Sequence, residues 1–140
     1  MAAEYILVVE DEPGIRAVIQ PVLEDDGYRV FLAETGRDAI ALASKARPIV
    51  AVLDYMLPDM SGVDIAVELR RRWGEDVPII FMSAADMLPA ELRRINAYLF
   101  LPKPFNIDDL SAAVRNAIDQ PQPQVIGERA DCRERRQATA

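Results

Sequence analysis

One stretch of the sequence decides the fold: residues 49–62, IVAVLDYMLPDMSG. Its five leading residues are apolar and rich in β-branched side chains, which predicts a strand that is buried on both faces of a sheet. Pro58 and Gly62 indicate that a loop follows. Asp54 is therefore expected at the carboxyl end of a buried strand, which in open parallel α/β sheets is the end where ligands bind.

The rest of the sequence repeats this arrangement. Apolar runs predict three further strands at 5–9, 78–82 and 98–101, and residues 28–33 are also predicted to form a strand. Helical spacing of apolar residues predicts a helix after each strand, over 13–26, 35–47, 62–73, 89–95 and 107–118. Five alternations with short connections predict an α/β fold with a doubly wound, five-stranded parallel sheet and helices on both faces.

Two residues of the first helix carry specific expectations. Pro21 lies inside the helical pattern and cannot donate a hydrogen bond to the carbonyl of Ala17, which predicts a kink or a helix in two pieces. Gly27 follows the pattern directly, at the position where a left-handed residue commonly ends a helix.

Composition narrows the class of protein. The chain has 140 residues, enough for one domain over residues 1–120, and the proline- and charge-rich residues 121–140 are predicted to be a disordered tail. A net charge of −7 argues against a basic nucleic-acid-binding face.

A single cysteine, Cys132, excludes an intramolecular disulfide. With no apolar run of about 18 residues and no signal sequence, no membrane association and a cytoplasmic location are expected.

Polar residues follow the predicted strands at one edge of the sheet. They are Glu10, Asp11, Asp54, Ser83 and Lys103. The chain has no histidine, so catalysis by imidazole and metal binding by imidazole are both excluded. Three carboxylates in one cleft repel one another unless one is protonated or a cation neutralises them. Oxygen ligands alone suit a hard divalent ion such as Mg²⁺, and a carboxylate beside an ammonium and a hydroxyl suits phosphoryl transfer onto aspartate.

Four motifs give the chain a family resemblance. VEDEP (9–13), LDYMLPDMSG (53–62), MSA (82–84) and LPKPF (101–105) occur in this order on the predicted strand ends. Together they resemble the response-regulator receiver domain of two-component signalling. The resemblance implies a flavodoxin-like fold with strand order 2-1-3-4-5. Because the sequence predicts no second domain after the receiver, the chain is expected either to work as a stand-alone receiver or to be a fragment of a longer protein.

The resemblance also assigns roles around the phosphoacceptor. Asp54 matches the aspartate that takes a phosphoryl group from a sensor histidine kinase or a histidine phosphotransfer protein. Glu10 and Asp11 match the acidic pair, so that Asp11 would bind Mg²⁺ directly and Glu10 either directly or through water. Asp54 and the backbone carbonyl of Met56 would complete the ligand set.

Further positions match the switching residues of the family. Ser83 matches the hydroxyl that closes on the phosphoryl group, and Lys103 matches the lysine that pairs with it. Phe100 matches the aromatic residue that turns inward when Ser83 moves. A cis peptide is expected before Pro104. The output surface would be the helix4–strand5–helix5 face, residues 89–118, and it would control an unknown downstream protein.

The sequence departs from the family pattern in three places. Glu10 stands where aspartate is commoner. The segment from Ser83 to Lys103 is a couple of residues short, and Asn96 stands where glycine is usual, although asparagine tolerates a left-handed conformation. Two other features are expected to be structural. Asp59 is predicted to be a turn residue, and the three arginines at 70–72 are predicted to form a solvated face of a helix.

Other functions remain open at this level. The chain is expected not to be an enzyme beyond its own phosphorylation and dephosphorylation, and to be a monomer or a phosphorylation-dependent homodimer. An interaction module with vestigial phosphorylation is one alternative. An aspartate-nucleophile phosphatase is another, although Tyr55 and Met56 follow Asp54 where such enzymes carry a second aspartate. A flavin or nucleotide binder would need a glycine-rich loop, which the sequence does not contain.

Overall fold

The computed structural model describes residues 4–119. The strands there are β1 (Ile6–Val9), β2 (Val30–Ala33), β3 (Val50–Asp54), β4 (Ile79–Ser83) and β5 (Leu99–Pro102). The helices are α1 (Pro13–Asp25), α2 (Gly36–Lys45), α3 (Gly62–Trp73), α4 (Pro89–Arg94) and α5 (Ile107–Asp119), with a short 3₁₀ turn at Gly74–Asp76. The predicted tail over 121–140, with Cys132, lies outside the described residues.

All five strands are parallel and lie in the order β2-β1-β3-β4-β5. This confirms the predicted fold class and strand order. The chain reverses its direction of winding after β2, so that β1 and β3 are neighbours at the centre of the sheet. Among residues 4–119, no helix is long and apolar enough to cross a bilayer.

Each strand of the sheet sends alternate residues to opposite faces, and the two faces have separate cores. On one face, Ile6 and Val8 of β1 pack with residues of α1 and α5, such as Leu23 and Leu110. On the other face, the alternate residues of β1, β3 and β4 pack with α2, α3 and α4. The central strands are therefore apolar throughout, which is why the stretch 49–53 has no polar alternation.

The end of α1 confirms the expectation for Gly27. Gly27 has φ of 98°, its N–H donates to the carbonyl of Glu24 at 2.9 Å, and the N–H of Tyr28 donates to the carbonyl of Leu23 at 3.2 Å. This pair of bonds is the Schellman motif, in which a left-handed residue satisfies the last carbonyls of a helix.

Pro21 was expected to kink α1 or to divide it into two pieces, and the second of these alternatives was wrong. The helix runs without a break from Pro13 to Asp25 through Pro21. Pro21 and Ala17 both lie on the exposed side of the helix. Water can therefore bind the Ala17 carbonyl that loses its intrahelical partner, and the helix continues.

The loop after β3 folds back onto the strand it leaves. The N–H of Gly62 donates to the carbonyl of Tyr55 at 2.7 Å, and Ser61 caps α3 in a reciprocal capping box with Asp64. A Cβ atom on Gly62 would lie 2.2 Å from the backbone oxygen of Asp54. Glycine is needed here because this close approach leaves no room for a side chain.

Candidate functional site

The ends of four strands bring the predicted residues together at one edge of the sheet. Glu10 follows β1, Asp54 ends β3, Ser83 ends β4 and Lys103 follows β5. The parallel register pairs Val9 with Leu53, Asp54 with Met82, and Ser83 with Pro102, so these ends are level with one another. One carboxylate oxygen from each of Glu10, Asp11 and Asp54 lies within 4.8 Å of the other two.

Lys103 is the cation of this cluster. Its Nζ atom lies 2.8 Å from Oε1 of Glu10, 3.2 Å from Oδ2 of Asp54 and 3.5 Å from Oε1 of Glu12. A cis peptide links Lys103 to Pro104, as the resemblance implied. Burial alone would lower the pKa of the Lys103 ammonium, but the neighbouring carboxylates outweigh it and the pKa is raised.

Glu10 is the most deeply buried acid of the site, with no exposed surface. Burial raises the pKa of its carboxyl group to about 7, against the opposing effect of the Lys103 ammonium and of the N–H of Glu12. Its Oε2 accepts a hydrogen bond from that N–H at 3.2 Å. Its Oε1 accepts no hydrogen bond of good geometry, although Lys103 is close.

These observations test whether the residues fit a divalent cation. Among residues 4–119, Lys103 is the one cation that forms ion pairs within the cluster of three carboxyl groups, so the cluster has an excess of negative charge when all are ionised. The buried Oε1 of Glu10 has coordination capacity to spare. Asp11 reaches solvent, which leaves a route for a hydrated ion. The donor set consists only of oxygen atoms, which matches the preference of Mg²⁺.

Asp54 and the residues after it form the floor of the site. Asp54 is only 6% exposed, and its Oδ1 accepts a long hydrogen bond, 3.4 Å, from the N–H of Met56. This contact places the backbone of Met56 beside the phosphoacceptor candidate. The side chain of Met56 points outward and is 67% exposed.

Ser83 lies at the end of β4 and is buried. Its Oγ accepts a hydrogen bond from the N–H of Ala85 at 2.9 Å, and its carbonyl accepts one from the N–H of Lys103 at 2.7 Å. The hydroxyl therefore stabilises the first turn of the segment that leads to α4. The ring of Phe100 is half-buried and packs against the core on the α2–α4 side of the sheet.

The expectation that residues 70–72 form a solvated face was wrong for Arg70. Its side chain is 10% exposed, and the guanidinium donates to the carbonyls of Val77 at 2.6 Å, Ile95 at 2.8 Å, Asn96 at 3.0 Å and Gly74 at 3.2 Å. Arg71 and Arg72 are exposed as expected. The helical spacing contained the signal, because position 70 shares a face with Ala66 and Trp73.

Asp59 does more than occupy a turn. Its Oδ1 accepts from the N–H of Gly36 at 2.9 Å and its Oδ2 from the N–H of Arg37 at 3.0 Å, so it caps the start of α2 from the β3–α3 loop. These backbone bonds lower the pKa of its carboxyl group. The sequence contains no local signal for this contact, because the partners are more than 20 residues away.

Tyr55 connects the site to α4. Its hydroxyl donates to Oε1 of Glu91 at 3.4 Å, and the same oxygen accepts from the N–H of Leu88 at 3.4 Å. The residue next to Asp54 thus contacts the first turn of α4. Sequence reasoning missed this contact, which only the packing of β3 beside β4 creates.

Comparison with known proteins agrees with these observations. A model of the response regulator receiver domain matches residues 6–115. The response regulator MprA of Mycolicibacterium vanbaalenii is 35% identical over 120 residues, which are 84% of this chain and 52% of MprA. The chain therefore spans about half the length of the curated relatives it matches.

Solved structures of similar proteins have the same fold. The non-phosphorylated receiver domain of HemR from Leptospira biflexa has a TM-score of 0.77 at 31% identity, over 87% of this chain and 99% of that one. The response regulator TrrA from Thermotoga maritima, solved in complex with Mg²⁺ and BeF, has a TM-score of 0.72 at 31% identity, over 81% and 98% of the two chains.

Proposed function

The chain belongs to the response regulator receiver domains, and on that premise we propose that it accepts a phosphoryl group on Asp54 in an Mg²⁺-dependent reaction. One observation carries the proposal: the Lys103 ammonium lies 3.2 Å from Oδ2 of Asp54, beside the acidic pair Glu10 and Asp11. This arrangement supplies a nucleophile, a positive charge and a set of metal ligands within one cleft.

The proposed reaction is a transfer between a phosphohistidine and a carboxylate. An oxygen of Asp54 attacks the phosphorus atom, an O–P bond forms, and the N–P bond of the donor breaks with its electron pair returning to the imidazole nitrogen. Lys103 holds the carboxylate in place and offsets the negative charge of the phosphoryl oxygens. Burial of Asp54 limits access of bulk water to the product.

Mg²⁺ would be bound by carboxylates of Glu10, Asp11 and Asp54 and by the backbone carbonyl of Met56. When bound, it would supply charge neutralisation for the three carboxylates and the phosphoryl oxygens. Glu10 replaces the commoner aspartate, and its Oε1 already has the Lys103 ammonium at 2.8 Å. We therefore assign Asp11 as the more accessible ligand of the pair.

Ser83 and Phe100 are proposed as the switch. Turning the Ser83 hydroxyl toward a phosphoryl oxygen would exchange its contact with the N–H of Ala85 for a charge-assisted hydrogen bond. Movement of that segment would make room for the half-buried ring of Phe100. The α4–β5–α5 face would then change shape and control a downstream protein.

The partners are proposals as well. We infer a sensor histidine kinase or a histidine phosphotransfer protein as the donor. A cleft of about 390 Å³ beside Lys103, lined by apolar residues of α1 and by Phe105 and Ile107, offers such a donor a docking place next to the site. Direct nucleic-acid binding is not proposed. A cytoplasmic location and a monomer or phosphorylation-dependent homodimer stay predictions, as does the absence of enzymatic activity beyond the turnover of its own phosphoryl group.

Acetyl phosphate with Mg²⁺ tests the proposal without a cognate kinase. Intact-mass spectrometry of the wild type should show one added phosphoryl group, which should be absent when Mg²⁺ is chelated. Asp54→Asn should abolish the addition, while Asp59→Asn, which alters an acid outside the cluster, should retain it. Phosphoryl uptake by the Asp54→Asn variant would refute the assignment.

The same preparation separates the alternatives. An aspartate-nucleophile phosphatase would turn over p-nitrophenyl phosphate in an Asp54-dependent manner, and an interaction module with vestigial phosphorylation would take up no phosphoryl group. The residues after Asp54 favour the receiver, because Tyr55 and Met56 supply no second carboxylate to act as a general acid.

A further inference from the structure

Side-chain hydrogen bonds of different strength hold the two ends of the short helix α4. It has six residues, and it is the first element of the proposed output face, α4–β5–α5. Helices of this length are not stable alone, so its position depends on contacts with its neighbours. The contacts at its two ends therefore decide how it can move.

The C-terminal end of α4 is tightly bound. Arg70 of α3 donates to the carbonyls of Ile95 at 2.8 Å and Asn96 at 3.0 Å, and also to the carbonyl of Val77 just before β4 at 2.6 Å. Bonds from a charged, largely buried donor to backbone acceptors are among the stronger hydrogen bonds in proteins. Asn96 adds a side-chain bond to Glu75 at 2.7 Å.

At the N-terminal end of α4, Met87 packs into the core but the side-chain hydrogen bonds are weak. Oε1 of Glu91 accepts from the Tyr55 hydroxyl and from the Leu88 N–H, both at 3.4 Å, which is near the limit of a hydrogen bond. The side chain of Leu88 is 66% exposed. Tyr55 directly follows Asp54, and its N–H donates to the carbonyl of Met82 at 2.9 Å. The backbone that carries the Tyr55 ring is therefore fixed beside the site.

We propose that α4 moves as a hinge. Arg70 holds Ile95 and Asn96 in both forms of the protein, while the Tyr55–Glu91 hydrogen bond holds the other end only before phosphorylation. The inference rests on the proposed function, because the event that breaks the bond is phosphoryl uptake by Asp54. Turning Ser83 toward the phosphoryl group would pull the segment 84–88, which leads directly to Glu91.

Amide hydrogen exchange followed by NMR tests the hinge. The wild type is compared with Tyr55→Phe, Arg70→Met and Arg71→Met, each with and without Mg²⁺ and beryllium fluoride as the phosphoryl mimic. Arg71→Met is the matched control, because Arg71 is the neighbouring arginine of α3, is exposed and pairs with Glu68 on its own helix. Phosphoryl uptake from acetyl phosphate is measured for every variant by intact mass.

The wild type should exchange faster over 88–92 when the mimic binds, with the amides of Asn96 and Ala97 unchanged. Tyr55→Phe should raise exchange over 88–92 by about threefold to tenfold before the mimic is added, and the mimic should then add little. Arg70→Met should raise exchange at Asn96 and Ala97 by more than about tenfold in both forms. Arg71→Met should match the wild type.

Several results would overturn the proposal. If the wild type takes up the phosphoryl group while exchange over 88–92 stays the same, the hinge is wrong and the proposed function stands. If it neither takes up the group nor responds to the mimic, both are wrong. Should Arg70→Met fail to fold, the Tyr55→Phe arm still decides, because exchange equal to that of the wild type before the mimic is added contradicts the hinge.

Discussion

The Nζ atom of Lys103 lies 2.8 Å from Oε1 of Glu10, a residue with no exposed surface. Glu10 is buried among the strand ends, and burial raises the pKa of its carboxyl group to about 7. The ammonium therefore stabilises the charge of a carboxylate that water does not reach. The pair joins the end of β1 to the end of β5 across the site.

Removing one partner of this pair should be costly. Lys103→Met leaves Glu10 and Asp54 without their ammonium, and we expect a loss of about 3 kcal/mol in the free energy of unfolding. The double variant Lys103→Met with Glu10→Gln should recover part of the loss, because the buried charge is gone. Urea unfolding of the wild type, both single variants and the double variant measures this coupling.

Lys45→Met, at an exposed lysine of α2, is the control and should change stability by less than about 0.5 kcal/mol. Additive effects would contradict the expected coupling.

Substitution of Gly62 should disturb both the fold and the site. A Cβ atom in Gly62→Ala would lie 2.2 Å from the backbone oxygen of Asp54, and neither group is a flexible side chain. We expect a loss of about 1–3 kcal/mol in stability and slower phosphoryl uptake, because Asp54 must shift. Gly14→Ala in α1 is the matched control: no atom lies within 4 Å of its added Cβ, and stability should not fall. Equal stabilities of the two variants would show that the loop relaxes freely.

Mg²⁺ should stabilise the protein if the acidic cluster binds it. Binding to the folded state alone raises the free energy of unfolding, by about 2.7 kcal/mol when the ion is at a hundred times its dissociation constant. Thermal unfolding with increasing MgCl₂ measures this shift, and a chelator should reverse it. Asp11→Asn should lose most of the shift, whereas Asp109→Asn, an exposed acid at the start of α5, should retain it. An equal shift in the Asp11→Asn variant would place the ion elsewhere.

Tyr5 should make the fold sensitive to alkaline pH. Its buried hydroxyl donates to the carbonyl of Ala46, and burial raises its pKa from 10 to about 12. Above pH 10 the unfolded chain loses this proton while the folded chain keeps it, so the contribution present below pH 10 disappears as pH rises to 12. It amounts to about 3 kcal/mol at 1.36 kcal/mol per pH unit.

Urea unfolding between pH 9 and 12 compares the wild type with Tyr5→Phe. The phenylalanine ring keeps the edge-to-face contact with Phe31, whose centroid lies 5.1 Å away, and loses only the hydroxyl. The missing hydrogen bond gives a constant offset of about 1 kcal/mol. Wild-type stability should fall more steeply than that of the variant over this range. Parallel curves would show that Tyr5 does not titrate with a raised pKa.

The sheet and its polar edge were predictable because both depend on local patterns. Apolar runs mark the buried strands, and the first polar residue after each run marks the strand end. Since parallel strands end on the same edge, Glu10, Asp54, Ser83 and Lys103 could be expected together before any coordinates. The order of the strands needed the family resemblance, because short connections alone leave several orders open.

Contacts between distant side chains and backbone were not predictable in this way. Asp59 caps α2 and Tyr55 contacts Glu91 through packing that no sequence pattern encodes. Arg70 was assigned to solvent because it lies in a run of three arginines, although helix periodicity places it on the buried face. Pro21 was expected to kink or divide α1, and the helix is not divided because Pro21 lies on its solvent side.

The contacts of Arg70 also make the register of β4 and β5 less dependent on the length of the loop that connects them. Because one guanidinium binds the carbonyl of Val77 before β4 and the carbonyls of Ile95 and Asn96 before β5, α3 positions the starting points of both strands. We therefore expect the β4–β5 register to depend on these contacts and on the strand pairing rather than on the length of the segment between Ser83 and Pro89. A change in the length of that loop would therefore leave Lys103 in place relative to Asp54, so that the surface before α4 can change while the site keeps its geometry.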